Sequence, residues 1–136
     1  MGGRRPVVYV IGLGPGPSGL ITLETMELLQ KAGEVLVRTE RHPCVEDLRA
    51  RGINLRFLDH HYQEGDSMQE VYTSMAREVA EEAAAGGEVY YATPGHPLLA
   101  ERTVQLLLQE ELEVRLHSAV SFLDAVFSTL ELDAVE

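Results

Sequence analysis

Val7-Val8-Tyr9-Val10-Ile11-Gly12-Leu13-Gly14-Pro15-Gly16 is an apolar run that breaks into alternating glycines. A continuous β-branched run near a chain start reads as a strand buried on both faces, the first strand of a parallel α/β sheet. The glycines let the backbone turn tightly and approach a ligand that a Cβ would exclude. The residues therefore point to a site just beyond this strand.

The loop that follows, Gly14-Pro15-Gly16-Pro17-Ser18-Gly19, satisfies the dinucleotide fingerprint G-x-G-x-x-G letter for letter. That fingerprint needs a helix opening within the glycines, with free N–H groups aimed at a pyrophosphate. Pro15 and Pro17 each remove one N–H, and Pro17 biases Gly16 away from helical geometry. Thr22 is the better N-cap, with Glu24 in the first turn, after the glycines have finished. A phosphate cradle is thus disfavoured. A loop closing on an uncharged or cationic ligand stays open, as does a plain tight βα turn.

Working outward, Thr22 to Ala32 carries Leu23, Met26, Leu29 and Ala32 at helical spacing, with Glu27 four residues before Lys31, and Gly33 ends it. Glu34 to Arg38 reads as a second strand, Val45 to Arg51 as a brief helix stopped by Gly52, and Leu55 to Leu58 as a third strand. Asp59 to Asp66 has no periodicity and reads as a loop. Ser67-Met68-Gln69-Glu70 is a capping box for a long helix with Val71, Met75, Val79 and Ala83 on one face, ending at Gly86-Gly87. Glu88 to Ala92 is a fourth strand, Leu98 to Gln109 a helix and Glu113 to His117 a fifth strand. Ser121 with Asp124 starts a last helix whose apolar face includes Phe122, Val126 and Leu130.

Five strands alternating with helices predict an α/β fold, a five-stranded mainly parallel sheet flanked by helices in a Rossmann-like arrangement. At 136 residues the chain is one domain. Its end at Leu132-Asp133-Ala134-Val135-Glu136, with neither a cap nor a polar tail, suggests a domain cut from a longer protein.

A net charge of −11 repels phosphate backbones and anionic lipid surfaces, so neither nucleic acid nor membrane is an expected partner. Arg49, Arg51 and Arg56, with Arg38 and Arg41 nearby, form the only local positive excess and read as a solvated face. The single cysteine, Cys44, excludes an internal disulfide and fits a reducing cytoplasm. Arg4-Arg5 before Val7 to Leu13 is too short and too soon interrupted for a signal peptide, and no run reaches the roughly twenty apolar residues of a membrane span. A soluble cytoplasmic protein is expected.

Three unusual loops follow the first, fourth and fifth strands: Gly12 to Gly16, Thr93-Pro94-Gly95-His96-Pro97, and His117 to Ser121. A parallel sheet puts all three at one carboxyl edge, where open α/β sheets bind ligands.

These features together resemble the N-terminal domain of the tetrapyrrole (corrin/porphyrin) methylases. The resemblance rests on the first strand with Gly12-Leu13-Gly14-Pro15-Gly16, on Leu20-Ile21-Thr22-Leu23, and on the fourth strand with Pro94-Gly95-His96-Pro97. The wording Tyr91-Ala92-Thr93-Pro94-Gly95-His96-Pro97-Leu98 resembles the version fused to a MazG-type nucleoside triphosphate pyrophosphohydrolase. The similarity covers essentially the whole chain but only the N-terminal half of the usual methylase fold. It implies S-adenosylmethionine as cofactor, a small-molecule methyl acceptor, a missing C-terminal methylase domain and a homodimer. It also implies that Gly12, Leu13, Gly14, Pro15 and Gly16 line the donor site with Pro94, Gly95, His96 and Pro97, and that Ser118, Val120 and Ser121 form its third loop. His96 stands where the family usually has Asp, and Ser118-Ala119-Val120-Ser121 where it usually reads Pro-Gly-x-Ser-Ser. No catalytic side chain is assigned, because methyl transfer depends mainly on alignment of donor and acceptor.

Other residues read more plainly. Adjacent His60 and His61 do not share a helix face, and no Cys or carboxylate pattern completes a metal site, so no metal is expected. Cys44 beside His42 reads as a buried thiol rather than a nucleophile. Asp59 and Glu64 are solvated loop carboxylates, and Met68 and Met75 core residues. Two rival functions stand beside a methyltransferase: a regulatory or small-molecule-binding module without turnover, attached to a nucleotide pyrophosphohydrolase, and a nicotinamide-dependent oxidoreductase.

Overall fold

A computed structural model describes residues 4–133 and 135. Five strands, β1 (Val7–Gly12), β2 (Val35–Val37), β3 (Leu55–Phe57), β4 (Glu88–Thr93) and β5 (Glu113–His117), form one sheet in the order β3-β2-β4-β1-β5. Every pairing is parallel, as the alternation of strands and helices requires. β1 lies between β4 and β5, with Gly12 opposite Thr93 and Ile11 opposite His117. The three sequence-selected loops therefore leave three adjacent strands at the same edge.

The β-branched run of β1 feeds both faces. Val8 and Val10 pack with Tyr91 beneath α4 (Met68–Gly86) and α5 (Arg102–Leu108), while Ile11 packs with Val35, Val37 and Ala92 beneath α1 (Leu23–Lys31) and α2 (Val45–Ala50). All of these strand residues are fully buried or within 1% of it. The predicted face of α4, Val71, Met75, Val79 and Ala83, is buried as read, and the helix ends at Gly87 in the left-handed region, φ 87°. Ser67 caps it by accepting from Glu70 N–H at 3.2 Å, but the Glu70 carboxylate reaches back to Asp66 N–H at 2.8 Å rather than closing the box on Ser67.

Several expectations need correction. α1 starts at Leu23 under the Thr22 cap, yet its core face is Thr25 and Leu29, and Leu23 is 85% exposed. Met68 is likewise exposed because it is the first residue of α4; Met75, two turns in, is core. Asp59 to Asp66 is not a loop but holds α3 (His60–Glu64), a short helix too brief to show periodicity and packed against α4. The helix predicted from Leu98 starts only at Arg102. The chain instead turns through Ala100 at φ 58°, which delivers Glu101 to the interior.

The last helix, α6 (Phe122–Leu130), has the capping box read from Ser121 and Asp124 but buries no residue. Phe122, Leu123, Val126 and Leu130 stand exposed along it. Of the chain-end residues, Ala134 and Glu136 lie outside the described set. No described helix is long and apolar enough to cross a membrane.

Candidate functional site

The loops after β1 and β4 are joined by an isolated antiparallel bridge between Gly14 and Gly95. Gly14 N–H donates to Gly95 O at 3.2 Å, and Gly95 N–H donates to Gly14 O at 2.8 Å. Both glycines adopt left-handed backbone, φ 79° and 69°, which side-chain-bearing residues resist. Gly12 needs glycine for another reason. A Cβ there would strike Gly95 O, lie 2.5 Å from Ala119 Cβ and 2.9 Å from Pro97 Cδ. Three loops thus meet over the end of β1 because that strand ends without a side chain.

Beyond the bridge lies a cleft of about 230 Å³ lined by Gly14, Pro15, Pro94, Gly95 and His96, together with Arg38, His42, Glu101 and Phe122. A Cβ added at Gly95 would meet nothing within 4 Å. The other site residues selected from sequence are placed differently. Leu13 is fully buried among the α1 and α2 core residues. Gly16 turns beside Pro43, and Pro97 backs onto Gly12. Ser118 is exposed and Val120 half-buried, and Ser121 is engaged in capping α6, accepting from Leu123 N–H at 3.2 Å. The third loop reaches the site through Ala119 and Phe122 instead.

Arg38, His42, Glu101 and Phe122 were not selected from the sequence. Arg38 directly follows β2, and it belongs here rather than to the solvated arginine face. Arg49, Arg51 and Arg56 do lie on that face, paired with acidic neighbours. Glu101 is 6% exposed, accepts from Thr93 Oγ1 at 2.5 Å and from Tyr91 OH at 3.4 Å, and faces Arg38 Nε at 3.5 Å. Burial pushes the Glu101 carboxyl above the usual carboxylate range, against the pull of Arg38 and of the two hydroxyls. Burial is the strongest single influence against the charge on Arg38, but Glu101 together with Tyr62, Tyr91 and Tyr72 more than offsets it, so the guanidinium is raised above its usual value. The two directions agree once desolvation is weighed: the Glu101 side chain is 3% exposed and that of Arg38 23%. Arg38 Nε, ion-paired with Glu101 but too distant for a good hydrogen bond to it, is a buried donor without a hydrogen-bond partner.

His42 ties the glycine loop to its neighbour. Its Nδ1 accepts from Cys44 N–H at 3.3 Å and lies 3.0 Å from Cys44 Sγ, which leaves Nε2–H to donate to Gly14 O at 2.9 Å. Cys44 is 1% exposed, and burial pushes its thiol up to about 11. Native protein at neutral pH should therefore resist iodoacetamide, while urea-unfolded protein should be alkylated rapidly. Rapid native alkylation, read by mass spectrometry, would contradict the buried-thiol reading.

The arrangement also bears on ligand class. α1 begins at Leu23, nine residues past Gly14, with a single 3₁₀ turn at Ser18–Leu20 between them. No helix N-terminus therefore opens within the glycines, as the pyrophosphate fingerprint requires. The bridge uses the N–H groups of Gly14 and Gly95, and Arg38 is ion-paired, so the open space at Gly95 suits a ligand other than a phosphate.

Comparison with known proteins agrees with this geometry. A Bacillus subtilis (strain 168) protein named uncharacterized protein YabN is 41% identical over 133 residues, 95% of this chain but 27% of its own length. A uroporphyrin-III C-methyl transferase from Thermus thermophilus, complexed with S-adenyl homocysteine, superposes with a TM-score of 0.62 at 25% identity, covering 88% of this chain and 50% of that one. A diphthine synthase shares the fold with a TM-score of 0.69 at 19% identity, covering 93% of this chain and 49% of that one. The chain thus spans about a quarter of the Bacillus protein and half of each solved chain. The family model of the Tetrapyrrole (Corrin/Porphyrin) Methylases matches residues 7–136, from the first residue of β1 onward, so the chain belongs to that family.

Proposed function

We propose that this chain is the donor-binding half of an S-adenosylmethionine-dependent methyltransferase acting on a small-molecule acceptor. The observation that carries the reading is the Gly14–Gly95 bridge with open space where Gly95 lacks a side chain. Gly14, Pro15, Pro94, Gly95 and His96 would hold the donor, largely through backbone groups. Bound there, S-adenosylmethionine supplies a methyl group activated by a sulfonium. It needs no phosphate cradle, and the cleft offers none: its wall arginine is already paired with Glu101. The protein's part is alignment, which can supply several kcal/mol of barrier reduction. Family membership and the S-adenyl homocysteine complex of the Thermus relative support the donor.

The test is calorimetric titration of this chain with S-adenosylmethionine, S-adenosylhomocysteine and NAD. The two sulfur ligands should bind and NAD should not; the reverse order would overturn the reading. Gly95→Val should weaken binding at least about tenfold, because a β-branched residue at positive φ costs roughly 1–2 kcal/mol and its methyls enter the cleft. The far-ultraviolet circular dichroism should stay unchanged, since nothing lies within 4 Å of the new Cβ.

The proposal extends to a second methylase domain covering the exposed face of α6, in a cytoplasmic homodimer. The Bacillus relative is long enough to hold that domain and more. The resemblance of the Tyr91–Leu98 wording to the fused version of the family supports a MazG-like pyrophosphohydrolase as a further domain of this protein. A chain extended through the second domain should bind S-adenosylhomocysteine more tightly and transfer methyl groups, whereas the 136-residue chain should not. Equal affinity would remove the two-domain cleft. The second reading, a ligand-binding module without turnover, is favoured by His96 at the cleft wall in place of the family's usual Asp; methyl transfer by the extended chain decides between the two.

A further inference from the structure

The turn of α3 brings His60 and His61 together on a partner outside the donor cleft. Their Nε2 atoms lie 3.2 and 2.7 Å from the same oxygen, Oε1 of Glu78 on α4. The two rings stand 4.1 Å apart, centre to centre. All three ligand atoms lie within 4.8 Å of one another. From the sequence no metal is expected, because adjacent histidines do not share a helix face and no Cys or carboxylate pattern completes a site. The tertiary structure supplies that carboxylate from seventeen residues away, and it draws both rings to one point.

We propose that His60, His61 and Glu78 form a binding site for a borderline divalent transition ion of the zinc, cobalt or nickel class. Two imidazoles and one carboxylate are a ligand set that such ions accept, whereas magnesium and calcium prefer oxygen alone. Metal–ligand bonds of about 2.0–2.2 Å place neighbouring ligand atoms roughly 3 Å apart, close to the two nitrogen–oxygen separations already present. An ion could therefore enter with little rearrangement. The far oxygen of Glu78 is held by Arg56 Nη1 at 3.1 Å, an outer partner that orients the carboxylate. Arg56 also meets Glu34 at 3.2 Å and Glu82 at 2.8 Å, so carboxylates outnumber the cation and a dication would offset the excess. The His60 side chain is 47% exposed, which gives the ion an entry path and leaves coordination positions for water.

Such an ion would clip α3 to α4. α3 also carries Tyr62, whose hydroxyl lies 3.5 Å from Arg38 Nη1 in the cleft wall. Occupancy would thus fix one support of the donor site without entering it. This inference does not depend on what the cleft binds.

The test uses the chelator-stripped chain, equilibrium dialysis against zinc, and cobalt(II) absorption spectroscopy. The wild type should take up one ion per chain, show visible cobalt bands of an imidazole-ligated site and gain thermal stability with zinc. The His60→Ala/His61→Ala double variant should lose at least about tenfold in affinity, together with the bands and the stabilisation. Glu78→Gln should do the same. Circular dichroism confirms that each variant is folded. Because a folding defect would obscure dialysis, cobalt-induced broadening of the His60 and His61 ring protons in wild-type NMR spectra provides an independent readout, with His96 and His117 unaffected. No uptake by the wild type, unchanged uptake by the double variant, or broadening confined to other histidines would each overturn the site.

Discussion

Gly12→Ala is expected to destabilise the protein by about 2–3 kcal/mol, the usual scale for forcing an atom into a packed interior. The added methyl has no way out. Its neighbours are the Gly95 carbonyl, Ala119 Cβ and the Pro97 ring, all closer than real Cβ contacts allow; the first is backbone, and neither of the others is the far end of a flexible side chain. β1 cannot move aside, because it is paired with β4 from Val7 to Gly12 and with β5 from Val7 to Ile11. The loops must separate, and the Gly14–Gly95 bridge breaks with them. For a chain of this length the melting temperature should fall by roughly 10 °C. Donor binding should be lost as well. Differential scanning calorimetry checks the first outcome and ligand titration the second; a wild-type melting temperature would show that the loops do not converge on Gly12. The contrast with Gly95→Val separates two uses of glycine: one keeps loops together, and the other leaves room for a ligand.

The second large effect is expected at Glu101. Glu101→Ala strips Arg38 of its ion pair and leaves Thr93 and Tyr91 without their acceptor. Removing one member of a buried pair costs about 3–5 kcal/mol, and the partial exposure of Arg38 puts this case near 3. Glu101→Gln should cost less, because the amide keeps an acceptor for Thr93. pH distinguishes the two forms of the carboxyl. Its folded value lies above the unfolded one, so within that window the native state binds more protons than the unfolded state. The Glu101 contribution to stability is therefore greatest at low pH and declines as pH rises from the ordinary carboxylate range through the raised folded value. Glu101→Gln removes this dependence, so its deficit relative to wild type should shrink across the window. Urea denaturation at a series of pH values checks the sign; a deficit that grows with pH would mean that Arg38 outweighs burial and holds the carboxyl ionised.

Much of the fold was legible in the chain because its signals are local. The β1 run, the face of α4 with its Ser67 cap, and the Thr22 and Ser121 caps each depend on residues within a few positions of one another, and each appears where it was read. Glycines at Gly12, Gly14 and Gly95 marked the place where the loops converge for the same reason, since a missing Cβ is visible without knowing what approaches it. α3 escaped notice because five residues cannot display a helical period, and the start of α5 was misplaced because propensity does not register the pull of Thr93 and Arg38 on Glu101.

By itself the sequence determined the α/β class, the parallel sheet and the edge at which the glycine loops gather, all consequences of periodicity and of chain geometry over short spans. Only the tertiary structure decided that Arg38 meets Glu101, that His42 pins Gly14, and that Glu78 joins His60 and His61. Those partners are seventeen to sixty-three residues apart along the chain, and what brings them together is burial of the two sheet faces. Charges placed by that packing must find opposite charge or hydrogen bonds nearby, whatever their sequence neighbours suggest.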